Sequence, residues 1–158
     1  MTPPRIWRIC RRKFAAEAWS GEGAWRYGGR WNSPGLRVIY ASGSLALAAL
    51  EYFVHLEPNL APGDLLAFPA ELDPEGSIEV LDASQLPPAW RGARAQPALR
   101  RLGDAWIAPA RSLALQVPSA VVPEEANWLI NPRHPEFAAR FTPGSAMPFR
   151  FDGRIWRR

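Results

Sequence analysis

The sequence predicts an α+β fold, built as a bent antiparallel sheet with a few helices. Seventeen prolines and twelve glycines divide the 158 residues into short segments, and most of these segments are rich in β-branched and aromatic residues. Only two or three segments have the length and apolar spacing of a helix. The apolar fraction of 47% predicts a chain that buries a core, and the length fits one domain over residues 1–158.

The N-terminal part is predicted to alternate between extended segments and turns. Alternation of apolar and polar residues indicates the strands, and clusters of Gly, Asn, Ser and Pro indicate the connections. The elements expected in order are a strand over 4–9, a glycine-rich loop over 20–30, a turn over 32–35 and a strand over 36–41. We then expect Ser42 to cap a helix over 44–56 that is ended by Pro58.

The C-terminal part is predicted to contain more strands and one further helix. The helix covers 97–107, with Pro97 in its first turn. An Asp-Gly pair between two aromatic segments favours a hairpin. The remaining elements expected are strands over 65–72, 77–81, 113–117, 120–122 and 127–130, a turn over 131–135, and hairpin strands over 149–151 and 154–156.

The predicted helix over 44–56 is apolar nearly all round, which is typical of a buried helix. One narrow polar seam interrupts it, formed by Ser44, Glu51 and His55. A carboxylate is almost never fully buried without a partner. Two interpretations stay open: Glu51 and His55 are an exposed pair on the wet edge of the helix, or Glu51 points into a cleft.

Arg30 is a second candidate, because it follows two glycines and precedes Trp31 and Asn32. Paired glycines let the backbone approach a ligand closely, and an arginine fixed there would suit a diphosphate or a carboxylate. The alternative is a surface arginine in a loose loop. The segment lacks the Gly-Lys-Ser/Thr ending of a P-loop and does not have the spacing of a dinucleotide fingerprint.

Composition excludes several classes of protein. The longest apolar run, residues 45–50, is too short to span a membrane. The single cysteine, Cys10, excludes an intramolecular disulfide and a thiolate metal cage. We expect no signal peptide and a cytoplasmic location. The net charge of +4 is weak support for nucleic-acid binding, because the arginines are spread along the chain instead of clustered.

Several segments together resemble the RES-domain family, which is named for its Arg, Glu and Ser. The resemblance begins with Gly-Gly-Arg-Trp-Asn-Ser-Pro-Gly at 28–35 and Val-Ile-Tyr-Ala-Ser at 38–42, and continues through the helix that carries Glu51. It runs from about residue 5 to residue 141. Further matching segments are 86–87, 103–106, 117–121 and 131–137.

The resemblance implies a fold similar to ADP-ribosyltransferases and a toxin of a type II toxin–antitoxin pair. It implies NAD degradation by hydrolysis or phosphorolysis of the nicotinamide–ribose bond, with NAD as substrate and no bound cofactor or metal. Two alternatives remain: ADP-ribosyl transfer to a protein, and a non-catalytic module for anions or nucleic acid. The partner implied is an Xre-like helix-turn-helix antitoxin, with no membrane and no direct nucleic-acid binding expected. A homodimer and the roles of His55 and His134 are left open.

The resemblance also assigns the site residues. The catalytic set is Arg30, Tyr40, Glu51 and Ser119, and the NAD-binding set is Arg30, Trp31, Asn32 and Tyr40. Cleavage of a glycosidic bond passes through an oxocarbenium-like state, which the Glu51 carboxylate would stabilise. Arg30 would hold the pyrophosphate, Tyr40 would frame the nicotinamide, and Ser119 would hydrogen-bond the ribose or nicotinamide side. Trp31 and Asn32 would support the loop.

Overall fold

The computed structural model describes residues 2–57 and 60–156, and it has the α+β architecture that the sequence predicts. Its strands form one curled sheet. The strands are β1 (Arg5–Arg11), β2 (Ile39–Ser42), β3 (Leu65–Leu72), β4 (Ile78–Val80), β5 (Ala114–Pro118), β6 (Ala126–Ile130), β7 (Phe141–Pro143) and β8 (Met147–Pro148). Their order is β4-β5-β6-β2-β1-β3-β7, with β8 paired beside β3.

The sheet is mixed, which corrects the prediction of an antiparallel sheet. Strands β4 and β5 pair in parallel, whereas the other pairs are antiparallel. The chain between β4 and β5 includes a twelve-residue helix, Gln96–Ile107. A crossover of this length brings the chain back to the same end of the sheet, as a parallel pair requires.

The α-helices are α1 (Glu22–Tyr27), α2 (Leu45–Phe53), α3 (Gln96–Ile107) and α4 (Phe137–Arg140), and short 3-10 turns cover Arg12–Glu17, Ala83–Gln85, Ala93–Ala95 and Gly153–Trp156. Helix α1 lies inside the segment predicted as a glycine-rich loop, so that prediction was wrong. Its first residue, Glu22, pairs with Arg37 at 2.7 Å, and this contact with a later segment stabilises a helix that local sequence does not favour.

Helix α2 differs from its prediction in three ways. Its N-cap is Ser44, whose hydroxyl accepts a hydrogen bond from the Leu47 amide at 3.1 Å; Ser42 is instead the last residue of β2. The helix ends earlier than residue 56, and the predicted stop at Pro58 lies outside the described residues. It is also not buried all round, because Leu50 and Val54 are 37% and 51% exposed.

Two predicted strand segments are turns. At residues 120–122 the Ser119 hydroxyl accepts hydrogen bonds from the amides of Val121 and Val122, and these close a turn instead of a ladder. Residues 149–156 do not form the predicted hairpin. There the Asp152 carboxylate binds the Arg154 amide and guanidinium, and a 3-10 turn follows. Elements α4, β7 and β8 were not predicted.

Both faces of the sheet are covered. Along β6, Leu129 packs with α3 on one face, while Trp128 and Ile130 pack in the core on the other. Helix α2 covers a third cluster around Ile9 and Leu65. Within the described ranges, no helix is long and apolar enough to cross a membrane.

Candidate active site

A cleft of about 920 Å³ opens on the sheet face between α2 and the segment that follows α1. Its volume lies within the range of small-molecule and cofactor sites. Polar and aromatic groups from distant parts of the chain meet there. Its lining includes Trp7, Arg8, Gly29, Arg30, Trp31, Tyr40, Ser42, Glu51, Tyr52, His55, Gln96, Arg100 and Asn127.

Glu51 is the carboxylate in this cleft. It is half-buried, and its Oε1 accepts hydrogen bonds from the Ser119 hydroxyl and from the Asn127 side-chain amide, both at 2.6 Å. No ion pair to His55 is found in the part of the chain that the structure describes. The structure therefore favours a carboxylate fixed in a cleft over an exposed pair with His55.

Ser119 is fully buried and does not line the cleft itself. Its hydroxyl donates to Glu51, while its oxygen accepts from the amides of Val121 and Val122 at 3.1 and 3.0 Å. A hydroxyl carries one donor and two acceptor positions, so all of them are used within the protein. The geometry gives Ser119 the role of holding Glu51.

Asn127 extends this network to the neighbouring strand. Ser42 and Asn127 are paired residues of β2 and β6, and the Ser42 hydroxyl donates to Asn127 Oδ1 at 2.8 Å. The register of two strands therefore places a fixed amide beside Glu51. The residues are 85 positions apart in the sequence, and neither was predicted as a site residue.

The loop that carries Arg30 is held from below by Tyr40 and Asn32. The Tyr40 hydroxyl donates to Asn32 Oδ1 at 2.7 Å and accepts from the Trp31 amide at 3.0 Å. Burial raises the pKa of Tyr40, so the hydroxyl keeps its proton for this hydrogen bond. Asn32 is fully buried, and its Nδ2 donates to three backbone carbonyls.

Two close backbone approaches fix the same loop. A Cβ at Gly29 would lie 2.6 Å from the Tyr40 hydroxyl oxygen, and a Cβ at Gly103 on α3 would overlap the Trp31 carbonyl oxygen. Any larger residue would push the loop away from the sheet or from α3. The loop is therefore fixed by packing on two sides, and it is not the loose loop that remained as an alternative.

Three arginines line the cleft: Arg30, Arg8 on β1 and Arg100 on α3, whose Nε donates to the Gly29 carbonyl at 2.8 Å. Arg30 reaches the carbonyls of Trp90 and Arg91 only at 3.4 and 3.5 Å. Arg8 donates to the Tyr40 carbonyl at 2.9 Å, and its Nε is buried with no hydrogen-bond partner among the described residues. Burial lowers the pKa of Arg8. Neither guanidinium, of Arg30 or of Arg8, has all its hydrogens bound by the described residues.

The structure places four of the six predicted site residues, Arg30, Trp31, Tyr40 and Glu51, on the cleft wall. Asn32 and Ser119 lie beneath it and hold the loop and the carboxylate. His55 lines the cleft, whereas His134 accepts from the Glu136 amide in a distant turn. The described residues contain no cluster of His, Cys, Asp and Glu that could hold a metal.

Arg8, Asn127 and Ser42 were not predicted as site residues. Arg8 lies in a strand whose alternation gives no functional signal, and Asn127 and Ser42 become neighbours only when β2 and β6 pair. A residue that meets the site through strand pairing leaves no local motif. The sequence predicted Ser42 as a helix cap and Asn127 as the first residue of a strand, and neither prediction gives a role in the site.

A family model and several known proteins match nearly the same part of this chain. The family model described as RES domain matches residues 5–152. A protein named Toxin Res from Yersinia enterocolitica is 36% identical over 150 residues, which is 95% of this chain and 98% of that protein. Toxin Res from Pseudomonas putida is 37% identical over 90% of this chain and 98% of its own length. A protein named Prs ADP-ribosylating toxin from a Sphingobium species is 40% identical over 83% of this chain and 84% of its own length.

Proposed function

The chain belongs to the RES domain family of toxins, and from that premise we propose that it cleaves the bond between nicotinamide and ribose in NAD. The observation that carries the proposal is the Glu51 carboxylate, fixed through one oxygen in a cleft that three arginines also line. A positioned negative charge stabilises the positive charge that develops on the ribose as the bond breaks.

The arginines suit the other end of the substrate. NAD carries a diphosphate, and guanidinium groups bind phosphate oxygens through paired, charge-assisted hydrogen bonds. Arg30 and Arg8 line the same cleft as Glu51, so one dinucleotide would contact all three. Tyr40 lines the same cleft, and its ring would offer an aromatic surface to the nicotinamide.

The acceptor of the ADP-ribosyl group defines the reaction. Transfer to water or phosphate degrades NAD, and this is the reaction that we propose. Transfer to a protein uses the same first step, and the name of the Sphingobium relative, Prs ADP-ribosylating toxin, supports it as the second candidate. NAD is a substrate in both reactions, and neither requires a resident cofactor.

The test is release of nicotinamide from NAD by the purified protein, measured with and without phosphate. We expect Glu51→Gln to lower turnover by about 10²-fold or more, because it removes the charge and keeps the shape. Glu17→Gln, at an exposed position away from the cleft, is the matched control and should turn over NAD like the wild type. Equal turnover in Glu51→Gln and Glu17→Gln would refute the role of Glu51.

A second assay separates the two acceptors. NAD labelled in the adenosine part is incubated with the toxin and cell extract, and protein is precipitated. Label that stays in solution as ADP-ribose or its phosphate supports degradation. Label that precipitates with protein supports transfer and overturns degradation as the main reaction.

Membership of this toxin family implies an antitoxin partner. We propose that it is of the Xre-like helix-turn-helix type and that it covers the cleft between Arg30 and Glu51. An acidic side chain or a terminal carboxylate would bind the arginines that serve the diphosphate. A cytoplasmic location stays a prediction.

A further inference from the structure

We infer that Asn127 is a positioning residue that holds the Glu51 carboxylate in its reactive orientation, with Ser42 fixing the amide of Asn127. This inference rests on the proposed function, because it assigns a role in the same reaction. Asn127 lies on β6, Glu51 on α2 and Ser42 on β2. The three side chains form a continuous chain of hydrogen bonds from the sheet to the helix.

The hydrogen bonds fix which way the Asn127 amide faces. The Ser42 hydroxyl donates to Asn127 Oδ1 at 2.8 Å, which leaves the NH₂ group to donate to Glu51 Oε1 at 2.6 Å. An amide that faced the other way would present its oxygen to the carboxylate, and two acceptors repel each other. The Glu51 carboxylate, which only accepts, therefore sets which way the amide faces, and the Ser42 hydroxyl, which can donate or accept, holds the amide in place.

The two carboxylate oxygens of Glu51 differ in their hydrogen bonds. Ser119 and Asn127 both donate to Oε1, and Oε2 receives no hydrogen bond from the described residues. Donors from two separate elements restrain the rotation of the carboxyl group better than Ser119 alone. Oε2 is thus kept available for the ribose, whereas Oε1 anchors the group.

The main test compares Asn127→Ala with the wild type in nicotinamide release. We expect kcat to fall about 10- to 100-fold, the range for losing one hydrogen bond to a charged group. KM should stay within about twofold, since Arg30 and Arg8 are unchanged. Ser44→Ala is the structural control, because it removes the N-cap of the same helix without touching Glu51.

A second variant gives a signature that a purely structural role would not produce. Asn127→Asp places a carboxyl group beside Glu51, and two neighbouring carboxyl groups compete for a proton. The protonated aspartic acid can donate a hydrogen bond as the amide does, and the ionised form cannot. The ratio of variant to wild-type kcat should therefore rise as the pH falls. Ser42→Ala should lower kcat in the same direction by a smaller factor, and it replaces Asn127→Ala if that variant does not fold.

The outcomes separate the two proposals. If the wild type is active and Asn127→Ala has an unchanged kcat, only the role of Asn127 is overturned. The same holds if the ratio of Asn127→Asp kcat to wild-type kcat does not change with pH. Equal losses of kcat in Asn127→Ala and Ser44→Ala also overturn it, because helix stability would then explain both. Wild type that releases no nicotinamide overturns the proposed function and this inference together.

Discussion

Replacing Tyr40 by phenylalanine tests whether its hydroxyl holds the arginine loop. The hydroxyl is the shared partner of the Trp31 amide and of Asn32 Oδ1, at 3.0 and 2.7 Å. Both residues are buried, with at most 2% of their surface exposed. Phenylalanine keeps the ring in the core and leaves one donor and one acceptor without a partner.

The expected loss of stability follows from these two groups. An unsatisfied buried donor or acceptor costs about 1–3 kcal/mol. The Trp31 amide and Asn32 Oδ1 share one partner, so the total cost is less than the sum of the two. We expect the free energy of unfolding to fall by about 3 kcal/mol in total. For a domain of this size, that corresponds to a fall in Tm of roughly 6–12 °C.

The assay is thermal and urea unfolding of Tyr40→Phe beside Tyr27→Phe. Tyr27 is 77% exposed on neighbouring helix α1, so the same change there should leave Tm within about 1 °C. If Tyr40→Phe unfolds at the same temperature as Tyr27→Phe, the hydroxyl does not hold the loop. Tyr40 would then contribute only through its ring.

Three further predictions concern the same cleft. Arg30→Lys keeps the charge but loses the planar fork, so we expect NAD affinity to fall about 10- to 100-fold. The control Arg26→Lys, at an exposed ion pair, should bind NAD as the wild type does. An Arg30→Lys variant with wild-type affinity would contradict a bidentate contact. Gly103→Ala forces a methyl group onto the Trp31 carbonyl and should cost about 3 kcal/mol or more of stability in urea unfolding, whereas Gly23→Ala, with no atom within 4 Å, should be neutral or slightly stabilising. Antitoxin affinity should fall as a non-cleavable NAD analogue is added, and a flat titration would show that inhibition does not act by filling the cleft.

Elements with a strong local pattern were predicted well. Strand β3 has the bounds Leu65–Leu72 that the sequence predicts, and α3 begins one residue before its predicted start. Both segments are long, and packing agrees with local preference in each. The prediction of a C-terminal hairpin was wrong because Phe149 and Phe151 pack against α2. This tertiary contact outweighs the local preference for an Asp-Gly turn between strands.

The candidate site was predictable in its local parts only. Glu51 was noticeable because it is the single acidic residue on an apolar helix, and Arg30 because two glycines precede it. Asn127 could not be predicted in this way, because its position beside Glu51 depends on the strand register that pairs it with Ser42. The resemblance assigns Ser119 to the site as a partner of the ribose or nicotinamide side, whereas the structure shows its hydroxyl bound to Glu51.

Glu51 and the residues that hydrogen-bond to it lie far apart in the sequence. This separation affects how the toxin is synthesised. Ser42 and Asn127 are separated by 85 residues, and a ribosome adds about 5–20 residues per second. The growing chain therefore carries Glu51 for several seconds before the strand that orients it exists. Strand β6 also fills the gap between β5 and β2, so the sheet beneath the cleft is incomplete until that strand has been made. On the proposed function, the growing chain would lack the fixed carboxylate, and with it NAD cleavage, for most of its own translation.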